Sequence, residues 1–573
     1  MRSFRARRGL KKRAPLIAPA LALALFVGGC GSDDGSDALS GPATVMPAGA
    51  PIYVEATIRP DGEQAENLDA LLSALGELPL IGNIGDPGEL LIQQIEAQAT
   101  AAGIDFSYAD DIEPWLGERA AFSVFSSDSG DDLFVVAIEA TDEDQARESI
   151  DALLAQGPVE YSEEEYEGVS YLTAPGEDFS LGVFDGHLVF ATTDQFEAAV
   201  DASNGESLAE SDKLAESLAS VGDDSLGSFY LDLAQLEDFA ASPEDAEGFE
   251  QFRAVAPEIF EGAITVSAGV SASDQVYIDY STPLFEGQPE AGESPLLGTA
   301  PGDSLGAFAL SDLGSFGQPI VDIFERAQDE GADIEGYPEG GIEQAFEDET
   351  GIPFGDAVGA IGDGSLFVRG GLPDDIEIGG EVEVSDTEVA TDLIEALEAQ
   401  IEKEGSAKLG PPIGGSDVGF SALEEQANVV EIDIRSGSGR SDELLPSEID
   451  SGSGDLPFAN IELDGDVIRY GFFRDQEAAE ESNLDGAGEF SETEAFAAGE
   501  EAVGDDFEYL GAVDLAPILD EFVGDASIAD ALGGASAEAL ITGFLADKLG
   551  VVAVGQRYED DVSVQRYVLR LAE

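Results

Sequence analysis

Gly302-Asp303-Ser304-Leu305-Gly306 matches the G-x-S-x-G spacing that lifts a serine nucleophile onto a tight turn, and it contains the GDSL string of a hydrolase class. Such a serine must follow a strand, open a helix and meet a histidine that takes its proton. Here the segment precedes an apolar run, Gly306–Leu310, and the only histidine, His187, lies upstream. The motif therefore reads as a loop before a strand. His187 follows the turn residues Asp185-Gly186, and Asp466 takes its place in the second half of the chain. A lone imidazole makes no metal framework, so it is expected at the surface beside the turn. Trp115, between Pro114 and Leu116, could line a groove; a core anchor at a helix-to-strand corner is the better fit to its size. Asp33-Asp34, Asp128–Asp132 and Asp142–Asp144 lack the spaced order of an EF-hand loop, and Glu163–Glu167 reads as a solvated loop. No phosphate-binding loop, dinucleotide fingerprint or Cys/His framework occurs, so no cofactor, metal or catalytic residue is assigned. Facing carboxylates keep a hydrolase open as a third reading, because acids are everywhere.

One residue carries a sharper signal. Leu23-Ala24-Leu25-Phe26-Val27-Gly28-Gly29 ends at Cys30, the only cysteine of 573 residues. Seven basic residues and no acid occupy the first 13 positions, followed by an uncharged, mostly apolar run from Pro15 to Gly29. That run is shorter than the roughly 20 residues a spanning helix needs and suits a signal peptide. With small residues before the thiol, the segment resembles the lipobox of a bacterial lipoprotein. The resemblance implies cleavage before Cys30 and acylation of its sulfur, leaving residues 30–45 as a flexible tether on the extracytoplasmic face of the cell membrane. A lone cysteine also rules out a disulfide within the chain, so folding must rest on burial.

Every one of the 121 acids lies after position 29, against 17 remaining basic residues, a net charge of −104 for the exported part. Such a field opposes nucleic acid and anionic lipid headgroups as partners. It fits a saline surrounding, or many weak divalent-cation contacts. At 573 residues the chain is long enough for several domains.

Element order repeats along it. A strand at Ile52–Ala56, a helix with Leu68, Leu71, Leu72 and Leu75 on one face, and a second helix opened at Asp86-Pro87 lead to strands Ala120–Phe125 and Leu133–Ala140. A capped helix follows Thr141. A hairpin forms around Asp185-Gly186, the pair a two-residue turn favours. Gly306–Leu310, Ile361–Asp363, the cap at Ser385 and the turn at Asp464–Asp466 repeat this order. The reading is α+β: two homologous domains, 46–284 and 300–573, joined by a linker at 285–299, each a mainly antiparallel sheet packed with helices. Hairpins near 263–281 and 549–570 are expected to close the two copies.

Asp111–Val124, Tyr166-Glu167-Gly168-Val169, Val183–Ala199 and Ser207–Ser211 resemble the bacterial envelope proteins grouped as domain of unknown function 3352. The likeness is good over 46–240 and faint in the second copy, where Ala360 replaces Trp115. The resemblance implies an exported or membrane-attached protein and no reaction. Together these features predict a non-enzymatic envelope module that binds or scaffolds an envelope protein, with a carrier of an apolar or lipid-like ligand as the alternative.

Overall fold

The structure, a computed structural model, describes residues 41–572 apart from 77–86, 236–252, 330–336, 409–425, 436–457, 474–487, 519–548 and several shorter stretches. Residues 1–29, Cys30, most of the tether and most of Asp128–Asp132 fall outside the described residues. None of the described helices is long and apolar enough to cross a membrane.

Alternation and helical periodicity give a mixed helix-and-strand chain whose strands join almost wholly antiparallel. The chain packs as two compact units. The first holds β1 (Ile52–Thr57), β2 (Leu116–Ser126), β3 (Asp132–Ala140), β4 (Ser162–Tyr166), β5 (Val169–Thr173), β6 (Ser180–Phe184), β7 (His187–Ala191) and most of β8 (Ser225–Asp232). They pair in the order β4-β5-β6-β7-β3-β2-β1-β8. Helix Glu143–Leu154 buries Ala146, Ile150 and Leu153 on one face of this sheet, in a cluster with Trp115, Ile138, Val183 and Leu188. Helix Thr193–Asn204 covers the other face, with the Phe196 ring against those of Tyr171 and Phe184. Pro42, Ala43 and Val45 fall inside the stretch expected to be tether, yet they are buried with Met46, so the packed body begins at Gly41 and not at Met46.

The second unit holds β9 (Ala263–Ala272), β10 (Gln275–Pro283), β11 (Ser304–Leu310), β12 (Ile361–Arg369), β13 (Glu377–Val384), β14 (Ala407–Lys408), β15 (Gln426–Arg435), β16 (Phe458–Asp464), β17 (Val467–Phe473), β18 (Glu508–Asp514), β19 (Leu549–Glu559) and β20 (Val562–Leu571). The order is β16-β17-β13-β12-β11-β18-β19-β20-β10-β9, with β15 parallel to β16 and β14 on β15. Helix Glu494–Val503 packs on one face, where Phe490, Tyr509, Ala512, Ala553 and Val564 meet. Helix Thr387–Glu404 takes the other face at one flank, setting Ala390 and Ile394 against Ile461, Leu463 and Ile468.

Three local readings change. The hairpin β9–β10, expected to close the first half, pairs along β20 from Gln275↔Arg570 to Pro283↔Val562 and so belongs with the second unit. Glu163–Glu165 is strand rather than loop. It lies in β4, which among the described strands pairs with β5 alone, and its exposed carboxylates suit a sheet edge that must not recruit another strand. In the second hairpin Asp464 pairs with Val467, so Val467, not Asp466, stands where His187 stands opposite Phe184. The turns differ in kind. Asp185 and Gly186 both have positive φ, whereas in the second turn Gly465 has it and Asp466 does not, which is why the glycine moves to first place.

Candidate functional site

A cluster of titratable side chains in the first unit lies on one face of β1, β2, β3 and β7. Tyr53 and Glu55 alternate along β1. Arg119 stands opposite Thr57, and His187 stands opposite Glu139. The Tyr53 hydroxyl donates to the Glu55 carboxylate. Arg119 bridges two strands, with Nε donating to Glu139 Oε1 at 3.1 Å and Nη1 lying 3.6 Å from Glu55 Oε1. Glu139 Oε2 also accepts from the backbone N–H groups of Glu118 and Arg119, each at 3.1 Å. Gly117 makes this possible: a Cβ there would sit 2.4 Å from Glu139 Cβ.

Burial sets the electrostatics. Tyr53 is wholly buried, and burial followed by the Glu55 charge holds its hydroxyl well above the ordinary range. Burial also pushes the Glu55 carboxyl up, against the pull of the Tyr53 hydrogen bond and of Arg119. For Arg119 burial acts downward, but Glu139 and Glu55 outweigh it, so the guanidinium is held more firmly protonated. Burial lowers His187, against the Asp185 carbonyl and Glu139, which act to raise it.

His187 is thus not the surface residue its place beside a turn suggests; it is 5% exposed. An inward position on β7 puts the imidazole under the helix layer. Its Nδ1 lies 2.6 Å from the Asp185 carbonyl oxygen, which fixes that nitrogen as donor and leaves Nε2 a buried acceptor with no partner. No serine, threonine or cysteine is hydrogen-bonded to it among the described residues. The groups that could move protons are instead bound strand to strand.

The other sequence candidates stand apart from this cluster. Trp115 is completely buried, donates from Nε1 to the Asp111 carbonyl at 2.7 Å, and accepts at its own carbonyl from the Thr141 N–H at 2.8 Å. That is the corner anchor expected of it. Ser304 opens β11 instead of following a strand, and Asp303 lies 3.8 Å from Arg369. Asp142 caps helix Glu143–Leu154 by accepting from the Gln145 N–H. No cluster of three or more potential metal ligands occurs among the described residues.

The span that holds His187, Trp115 and Glu139 lies within a stretch similar to a known family. Residues 91–331 match the family model described as Protein of unknown function (DUF3352). The DUF3352 match starts later than the resemblance carried by the motifs and runs past the linker to just beyond helix Gly317–Asp329. No curated protein and no solved structure matches the chain. Sequence reading missed Tyr53, Glu55, Arg119 and Glu139 as a group. The available signal was polar residues at every second position of an otherwise apolar strand, at Tyr53, Glu55 and Thr57.

Proposed function

We propose that this chain is an exported envelope protein, acylated at Cys30 and held at the extracytoplasmic face of the membrane, where it acts as a non-enzymatic binding or scaffolding module. The observation that carries the reading is the single cysteine at the end of a short apolar run, 11 residues before Gly41, where the buried N-terminal arm begins. At most about 3.6 Å per residue, that tether keeps the body within roughly 40 Å of its anchor. The Tyr53–His187 cluster favours a non-catalytic module, because its acids and bases are tied to one another and to the backbone.

Two homologous domains form part of the proposal. Both sheets contain one order, β6-β7-β3-β2-β1-β8 in the first and β16-β17-β13-β12-β11-β18 in the second. Matching backbone bonds recur at matching joints. Leu208 N–H donates to Met46 O as Phe490 N–H does to Ala300 O. Thr141 N–H donates to Trp115 O as Ser385 N–H does to Ala360 O. Ala140 N–H donates to Gly186 O as Val384 N–H does to Asp466 O. Duplication would let one copy diverge: the titratable side chains of Tyr53, Glu55 and His187 are replaced by those of Ala307, Ala309 and Val467 at the same registers of the second sheet.

Mass spectrometry of the native, membrane-extracted protein tests the anchor. The expected product begins at an acylated Cys30, and Cys30→Ser releases the protein from membranes. A chain that starts at Met1 with a free thiol, or that fractionates with the cytosol, defeats the proposal.

A further inference from the structure

Charge is sorted between the two faces of the second sheet. On the face carrying helix Glu494–Val503, Arg566 meets Asp279, Arg469 meets Glu381 and Arg369 meets Glu377. The opposite face differs. One line of register partners runs from Ala268 through Ile278, Tyr567, Val554, Phe308 and Leu366 to Ile461 without a charged residue. The line beside it, from Val270 to Ala459, holds only Val, Leu, Ile, Phe, Gly and Ala. Two lines across ten strands without charge are far from chance in a chain that is 25% charged. They are also unevenly covered. Ile278, Tyr567, Leu366 and Ile378 lie on these lines and are 40–46% exposed. Large exposed apolar side chains on an uncharged sheet face mark a docking site.

We propose that this face binds an amphipathic, basic α-helix of a partner protein. The same face already accepts a helix: Thr387–Glu404 lays Ala390 and Ile394 on Ile461, Leu463 and Ile468 at one flank, and the open part continues from that interface. Charge selects the partner's sign. With 121 acids against 17 basic residues after position 29, a second copy or an acidic helix meets like charge, whereas lysine and arginine on the outer side of an incoming helix meet opposite charge. The inference deepens the binding-module reading and does not depend on Cys30, so it is measured on the full chain carrying Cys30→Ser as well as on the native form.

The probes are two synthetic peptides of 18 residues, the length of Thr387–Glu404, with leucine at i, i+3, i+4 and i+7 and either lysine or glutamate elsewhere. Titration calorimetry should show binding of the lysine peptide and none of the glutamate peptide. The double variant Ile278→Ser/Tyr567→Ser should bind about tenfold or more weakly, since two large apolar contacts are lost. Both side chains are exposed, and an unchanged near-ultraviolet spectrum verifies the fold. Ile320→Ser, an equally exposed isoleucine on helix Gly317–Asp329, should leave binding unaltered. Equal affinity of the double variant overturns the proposal, because attraction is then generic to an acidic surface. Equal binding of the glutamate peptide overturns it too, as does displacement of the lysine peptide by a fatty acid or by self-association of the chain.

Discussion

Arg566 and Asp279 give the sharpest test of how the second unit is closed. Asp279 lies on β10 with its side chain fully buried, and Arg566 on β20 meets it with two bonds of 2.7 Å. The guanidinium lies between two rings, 4.2 Å from the centre of Phe507 and 4.9 Å from that of Tyr277. Arg566→Met keeps the aliphatic stem and removes the charge, so Asp279 is left buried and unpaired. Breaking a buried pair from one side costs about 3–5 kcal/mol. Removing both charges, in Arg566→Met/Asp279→Leu, leaves no stranded carboxylate and should recover about 2 kcal/mol or more of that loss. Asp144→Asn is the control: it breaks the exposed 3.3 Å contact with Arg147 and should cost nothing measurable. Native-state hydrogen exchange of the β10 and β20 amides reads these free energies locally. A loss below about 1 kcal/mol for Arg566→Met, or a double variant whose loss equals the sum of the singles, would refute the claim that the pair is desolvated.

Three further outcomes are expected. Raising salt from low ionic strength should raise the melting temperature, because repulsion among 121 acids is screened; a flat or falling midpoint counts against this. His187 is neutral in the fold with its affinity for protons below the usual 6.5, so its contribution is complete above that pH and is lost as pH falls below it. His187→Gln should flatten that part of the stability profile, and an unchanged slope in urea titrations from pH 7 to pH 5 would contradict it. Trp115→Ala should cost about 3–5 kcal/mol of first-unit stability by cavity formation, read by hydrogen exchange in β2 and β3, and a loss under about 1 kcal/mol would mean the indole is not packed as described.

Much of the fold was legible because it is local. Helix Glu143–Leu154 follows from an apolar face at Ala146, Ile150 and Leu153 and an acid cap at Asp142, and the first hairpin follows from Asp185-Gly186. Non-local pairing was not. Nothing in Ala263–Pro283 taken alone says that Gln275 will lie beside Arg570, nearly 300 residues away, because an alternating strand fits any partner of like pattern. The same limit hid the Tyr53–His187 cluster. Its members come from four strands, and only their register brings Arg119 between Glu55 and Glu139. His187 was misplaced for a different reason: a residue next to a two-residue turn is also the first of a strand, and the phase of that strand, not the turn, decides whether it points inward.

The scarcity of basic residues makes their placement informative. Only four lysines follow Cys30, and the arginines at 119, 369, 469, 566 and 570 each reach a carboxylate on a neighbouring element. A planar, permanently charged fork satisfies an inward-facing acid on two sides, which a flexible ammonium does less well. Each such arginine lowers the electrostatic cost of acids that adjacent strands bring together. An exterior whose charge is mostly acidic is then compatible with a tightly paired interior. It follows that Arg119→Lys is no mild change. The lysine amine can reach Glu55 or Glu139 but not hold both, so the first sheet should loosen at β1 while β6 and β7 keep their protection against exchange. Equal loss of protection on all of these strands would mean that Arg119 supports the unit as a whole and does not act as a clasp between β1 and β3.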